Sequence, residues 1–543
     1  MTLSLEFGSR RSPVYGRKGM VAASQPLAVA VGLEMLRQGG NAADAAIATA
    51  AALNVTEPTS TGIGGDCFAL YYDSGTGALT ALNGSGRNSH NLSLLRLKRE
   101  GFSGELPPYH PYTITVPGAC AGWFDLLERF GTLSMNRVLA PAIQLAEDGF
   151  PVEPITAYYW QKGAERQLKK AVNGWQLTID GHGPAAGELF TNRGLARTLK
   201  LIASQGRQAF YQGEIADAIV RAIQEAGGCL DLADLAGHKS TWETPISTTM
   251  NGLRLWECPP NGQGLAALLA VNLVQAIGLD GLPPLSPQRL HIEIEAMRLA
   301  FADARWYVSD PAFSNIPVGE LISMDYARDR SKLINLDRAS QELTHGVPFA
   351  STDTVYFCVV DAAGNACSFI NSNYMGFGTG IVPDNYGFTL QNRGHSFSLI
   401  EGHPNQIEPG KRPYHTIIPA MITREPEGSL FGPMGVMGGF MQPQGHLQVF
   451  LSLVVDGLDP QACLDLPRFC IEDGEPGGLV ALEVGLDQQT CDALASQGHK
   501  VRMVSGMERS LFGRGQVIIR EGSENILVGG SDPRADGCAM PLI

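Results

Sequence analysis

Several signatures that would by themselves assign a function are missing from this chain. Its ten cysteines include no CxxC pair. Its eleven histidines form neither an HExxH motif nor an i,i+4 pair, so a zinc site is not expected. No GxSxG elbow is present, which removes the usual Ser-His-Asp hydrolase signature. Positive charge is in short supply: the formal net charge is −14, which argues against nucleic acid or an anionic membrane as partner. Long apolar runs are absent too. The longest, Ala42–Val55, is broken by Asp44, Thr49 and Asn54 and reads as a buried helix rather than a membrane span. The first residues, MTLSLEFGSRRSPVYGRKG, carry no apolar h-region, so no secretory signal is expected and the cytoplasm is the expected compartment. In that compartment the scattered cysteines are expected as free thiols packed like small hydrophobes.

What remains is an ordinary globular composition, 44% hydrophobic and 17% charged. No period of 20–50 residues repeats, so no solenoid or propeller is expected. Helical spacing predicts helices over Leu27–Gly39, Asn41–Leu53, Leu139–Asp148, Glu214–Ala226, Gly264–Gly278 and Leu290–Val308. The last of these places His291, Glu295 and Arg298 on one face. After about residue 350 the pattern changes to β-branched and aromatic runs split by turn residues. Strands are predicted over Thr354–Asp361, Cys367–Ser372, Val382–Leu390, Thr416–Ile422 and Gln516–Ile519. Ala363-Gly364-Asn365 predicts a hairpin between the first two, and a helix is predicted over His446–Asp456. The expectation is a helix-rich first part and a sheet-rich second part. They would join in an exposed polar loop near 345–354 that suits proteolytic access.

Four groups could carry chemistry. Thr354 opens a strand after a polar loop. It is either a plain β-former or, if freed at a chain terminus, a hydroxyl with its own α-amine as base. Gly438-Gly439 could present backbone N–H groups to an oxyanion, or simply make a tight turn. Gly62-Ile63-Gly64-Gly65-Asp66 lacks the spacing and lysine of a phosphate loop, and Cys67 after it is either a thiol nucleophile or a buried packing residue. His90, His110, His291, His415 and His446 are dispersed and give no metal set.

These segments together resemble the γ-glutamyltransferase family of N-terminal-nucleophile hydrolases, in order and over nearly the whole chain. GNAADAA at 40–46 is similar to the family's GNAxDAA helix. Glu57-Pro58 with Gly62-Ile63-Gly64-Gly65 resembles its EPxxxGIGG loop. Val116-Pro117-Gly118, Phe301-Ala302-Asp303, Phe377-Gly378-Thr379-Gly380, Lys411-Arg412-Pro413, Pro467-Arg468-Phe469 and Ser531-Asp532-Pro533-Arg534 follow in register. The resemblance implies an α+β fold, a four-layer αββα sandwich, made as a proenzyme. Self-cleavage between Asp353 and Thr354 would give a large subunit, 1–353, and a small subunit, 354–543, that stay together. Thr354 would be nucleophile and α-amine base, Ser372 its supporting hydroxyl, and Gly438 and Gly439 the oxyanion hole, with no metal and no cofactor. A dimer of such heterodimers is the assembly expected, with a small-molecule amide as substrate.

The departures fall on the residues that read glutamate. Ser396 stands where γ-glutamyl enzymes of the family carry an aspartate for the substrate ammonium, and a neutral hydroxyl is a poor partner for that charge. Arg393 replaces a Gln, Tyr374 an Asn, and His415-Thr416 a pair of serines. Ser85 falls at the place of the carboxylate-binding Arg, with Arg87 two positions on. The segment between Phe397 and Lys411 is shorter than the lid of transpeptidases. Arg87 or Arg393 remains to clamp a carboxylate. The resemblance therefore implies an amide with a nearby carboxylate and no α-amine, as in the branch of the family that hydrolyses oxamate to oxalate and ammonia in purine breakdown. Glutathione hydrolase or transpeptidase activity, a cephalosporin or glutaryl acylase, and an uncleaved inactive scaffold are the alternatives.

Overall fold

In the computed structural model, residues 11–340, 354–474, 478–522 and 524–543 are described. The expected cleavage residue Asp353 and the joining segment before it lie outside them.

Fourteen strands form two seven-stranded antiparallel sheets. They are β1 Val14–Gly16, β2 Gly19–Ala23, β3 Asp66–Asp73, β4 Ala78–Gly84, β5 Thr241–Glu243, β6 Ile246–Met250 and β7 Leu253–Glu257. The rest are β8 Val355–Asp361, β9 Ala366–Ser372, β10 Ala420–Arg424, β11 Leu430–Met437, β12 Arg514–Glu521, β13 Ile526–Ser531 and β14 Cys538–Pro541. One sheet runs β14-β2-β8-β9-β3-β4-β5 and the other β1-β13-β12-β11-β10-β7-β6. Six helices matter here: α1 Pro26–Arg37, α2 Ala42–Thr56, α3 Met135–Asp148, α4 Gly264–Ile277, α5 Pro287–Tyr307 and α6 Met441–Val454. The first three form one helical layer, with α2 lying on β8 and β9. The last three form the other, with α4 against β6 and β7 and α6 on β11.

Strand alternation shows why this is αββα. Along β8, Val355, Phe357 and Val359 enter the core shared with α1–α3. Tyr356, Cys358 and Val360 enter the core between the sheets, where they meet Met421, Ile518 and Leu527. A strand buried on both faces needs no polar side, so β8 reads as one continuous apolar run. Helix α2 is Ala-rich and buried along its whole length, and Asn41 and Asp44 close its N-terminus in a capping box.

The helices predicted from spacing are all present, with shifted ends. Two expectations need correction. The segment Val382–Leu390 is not a strand. Asn385 and Gly387 take positive φ there and its backbone bonds to loops, so its β-formers serve burial rather than a ladder. The run Thr416–Ile422 joins a sheet only from Ala420, because Pro419 offers no N–H and the Ile418 N–H is taken by Gln442 Oε1 at 2.9 Å. The first segment is helix-rich and the second sheet-rich, as expected, but the two are interleaved, since β1–β7 come from the first segment and sit in both sheets. The helix predicted at His446 begins at Met441, two residues after Gly439.

Candidate active site

Thr354 immediately precedes β8, in the middle of its sheet, and is fully buried. The β8–β9 register pairs Val355 with Asn371, so its next step sets Thr354 opposite Ser372. The two hydroxyls lie 3.0 Å apart. The β9–β3 register pairs Ser372 with Asp66. Thr354, Ser372 and Asp66 thus form one row across three adjacent strands. By alternation the row points into the space between the sheets, the side of Tyr356, Ile370 and Phe68.

Ser372 gathers several contacts. Its Oγ accepts from the Tyr374 N–H at 2.9 Å and from an Arg393 guanidinium nitrogen at 3.2 Å. Arg393 also donates to Thr416 Oγ1 at 2.6 Å and lies 4.2 Å over the Tyr374 ring. Its side chain is fully buried, no carboxylate among the described residues pairs with it, and its Nε has no hydrogen-bond partner among them. Burial pushes the guanidinium down to about 10, with the nearby Tyr374 and Asp66 pulling the other way. Tyr374 itself holds φ +78, a strained conformation for an aromatic residue at this corner.

The glycines of the 62–65 loop are explained by this row. A Cβ on Gly65 would lie 2.2 Å from the Ser372 carbonyl oxygen, and one on Gly64 2.1 Å from that of Thr389. Only glycine lets the loop approach so closely. Cys67 is buried with its thiol pushed far up by burial and the Asp66 charge, which makes it a packing residue rather than a nucleophile.

Gly438 and Gly439 link β11 to the N-terminus of α6 with φ +133 and +60. Gln263 ties them to the rest. Its Nε2 donates to the Thr416 carbonyl at 2.6 Å and to the Gly439 carbonyl at 2.8 Å. A hydrogen-bonded path therefore runs from Thr354 through Ser372, Arg393, Thr416 and Gln263 to Gly439.

Asp66 is the residue that motif reading passed over. Its Oδ1 accepts from the N–H groups of Gly86 and Gly118 at 3.0 and 3.1 Å and from Gln391 Nε2 at 3.0 Å. Its Oδ2 lies 3.0 Å from His415 Nε2. Burial raises the carboxyl to about 6 against the Arg393 charge and these donors. Burial, then the charges of Arg393 and Arg412, push His415 well below its ordinary value, so it is a neutral ring donating Nε2–H to Asp66. The only sequence signal was an acid opening a strand straight after a glycine pair.

Other expected binding residues take different places. Arg87 donates to the Lys239 carbonyl at 3.3 Å instead of reaching the Ser372–Arg393 cluster. Ser85 touches Asn261, and Ser396 is buried, its carbonyl held by Asn405.

Comparison with known proteins follows the same lines. The gamma-glutamyltranspeptidase family model matches residues 28–542. A cephalosporin acylase structure from Bacillus halodurans superposes with a TM-score of 0.92 at 43% identity, over 100% of this chain and 99% of that one. The glutathione hydrolase-like YwrD proenzyme of Bacillus subtilis is 35% identical over 97% of this chain and 99% of its own. The oxamate amidohydrolase proenzyme of Klebsiella pneumoniae is 30% identical over 96% and 98%.

Proposed function

Given that this chain belongs to the gamma-glutamyltranspeptidase family, whose N-terminal-nucleophile members act on amides, we propose that it cuts itself between Asp353 and Thr354. The freed Thr354 would then hydrolyse the amide of a small substrate whose acyl group carries a carboxylate, with conversion of oxamate to oxalate and ammonia as the specific form. The proenzyme names of two relatives support the self-cleavage.

The observation that carries the substrate reading is Arg393, a buried cation with no described carboxylate partner, two hydrogen bonds from the nucleophile. A buried charge of this kind is costly unless something completes it, and a bound carboxylate does so. The short path favours a carboxylate close to the reacting carbonyl. Ser372 Oγ, which accepts from Tyr374 and Arg393 N–H groups, lies 3.0 Å from Thr354 Oγ1 and supports the nucleophile's hydroxyl. The Thr354 proton goes to the α-amine, the base created by cleavage. Thr354 Oγ attacks the amide carbon, and the N–H groups of Gly438 and Gly439 receive the oxyanion. A single donor of this kind typically lowers the barrier by about 3–4 kcal/mol. Ammonia leaves with the proton taken up by the amine, and water releases the acid from the acyl-Thr354 ester.

Ammonia release from oxamate, glutamine, glutathione and a glutaryl amide tests this. Turnover of oxamate well above the others is expected, and none on oxamate would overturn the substrate reading. A second reading, a longer dicarboxylic acyl group, is favoured by the 43% identity to the cephalosporin acylase, and preference for the glutaryl amide would establish it.

A further inference from the structure

We propose that Asp66 and His415 are a positioning pair that sets the Arg393 guanidinium for a substrate carboxylate, and so fix acyl selectivity without touching the substrate. The inference deepens the amidohydrolase reading above and rests on it.

The geometry is specific. Among the described residues Arg393 has no acid paired with it, and two hydroxyls and an aromatic face hold it. Its direction is therefore set by whatever fixes the chain on either side of it and of Thr416. Asp66 grips both. One oxygen accepts from Gln391, two residues before Arg393, and the other from His415, the residue before Thr416. The same carboxylate receives Gly86 and Gly118, which ties the neighbouring loops to the same point. Asp66 also stands opposite Ser372 in the sheet, so all three supports of the guanidinium refer to one row of residues. His415 is clamped on its other faces by backbone bonds to Asn261 and Gln263 and by the Phe68 ring at 4.8 Å. Its neutral ring is a fixed spacer between the Asp66 carboxylate and the Thr416 backbone.

A positioning role of this kind is separable from a purely structural one. Loosening the guanidinium penalises substrates that need it and spares those that do not. The test uses the purified, self-cleaved protein and its Asp66→Asn, His415→Gln and His415→Ala variants, assayed on oxamate and on oxamide, its carboxylate-free counterpart. In Asp66→Asn the oxamate KM is expected to rise about tenfold with kcat changed far less, while oxamide turnover moves by no more than about threefold. His415→Gln keeps a donor at the Nε2 position and is expected to retain more of the oxamate preference than His415→Ala. An equal loss on both amides, or no change in their ratio, overturns the inference. Should Asp66→Asn stay uncleaved, the two His415 variants decide, because they leave the carboxylate and its three other donors in place. Failure of the function reading is distinguishable: the unmutated enzyme would then show no preference for oxamate over oxamide at all.

Discussion

Arg393 holds a positive charge in a fully buried position where no described carboxylate touches it. An arginine does not give up its proton at working pH, so the downward shift to about 10 measures a cost of folding rather than a titration. The sign follows from linkage. A base whose folded value is lowered has its charged form disfavoured, so the penalty is in force below pH 10 and would be relieved only above it. Its size is on the order of 3 kcal/mol at neutral pH. Arg393→Met removes the charge and keeps much of the volume. It is expected to melt at the same or a higher temperature while kcat/KM on oxamate falls at least about 100-fold. A variant with lower stability and unchanged activity would return Arg393 to a structural role. Arg393 was visible in the sequence as a candidate, but the choice between it and Arg87 was not. Spacing along the chain carries no information on which of two arginines faces the nucleophile. Asp66 was less visible still, because its meaning lies in donors from residues 86, 118, 391 and 415.

At the scale of elements, glycine motifs were legible as motifs but not as contacts. The loop Gly62–Gly65 was read for what it lacked, a phosphate-binding pattern. Its function in the fold is steric, letting the chain lie against the ends of β9 and of the 389–391 segment. Adding a methyl at Gly65 would push on the Ser372 backbone, one residue row from the nucleophile. Overpacking of this kind costs about 1–3 kcal/mol. Gly65→Ala is therefore expected to fold with reduced stability and to self-cleave slowly or not at all, read as the ratio of uncleaved to cleaved chain on a denaturing gel. Gly319→Ala is the control. A Cβ there meets nothing within 4 Å and the residue sits in the short helix Val318–Leu321, so cleavage at the normal rate is expected. Equal cleavage in both variants would remove the steric account of the loop. The misread strand at Val382–Leu390 has the same origin: β-branched and aromatic residues report burial, and only tertiary partners decide whether buried backbone forms a ladder.

For the whole molecule, the break expected after residue 353 does not separate two independent bodies. Strands β8 and β9 of the later segment lie between β2 and β3 of the earlier one, while β10–β13 lie between β1 and β7. Each sheet is thus paired from both sides of the cut. Buried polar links cross it as well. The Arg514 guanidinium bonds Glu57 at 2.9 Å, Asp361 accepts the Ala42 N–H at 3.0 Å, and Trp123 donates to Asn371 at 3.1 Å. Separating the chains would break five strand pairings, β14–β2, β2–β8, β9–β3, β1–β13 and β10–β7, and open both inner cores, so neither piece has a folded state of its own to fall into. The cleaved protein is accordingly expected to elute as one species containing both chains. In urea it should lose near- and far-ultraviolet circular dichroism in one coincident transition, whose midpoint rises with protein concentration because two chains are released. A dissociated but still folded small chain, seen as a second eluting species below the unfolding midpoint, would mean that the interleaved sheets are not what holds the subunits together.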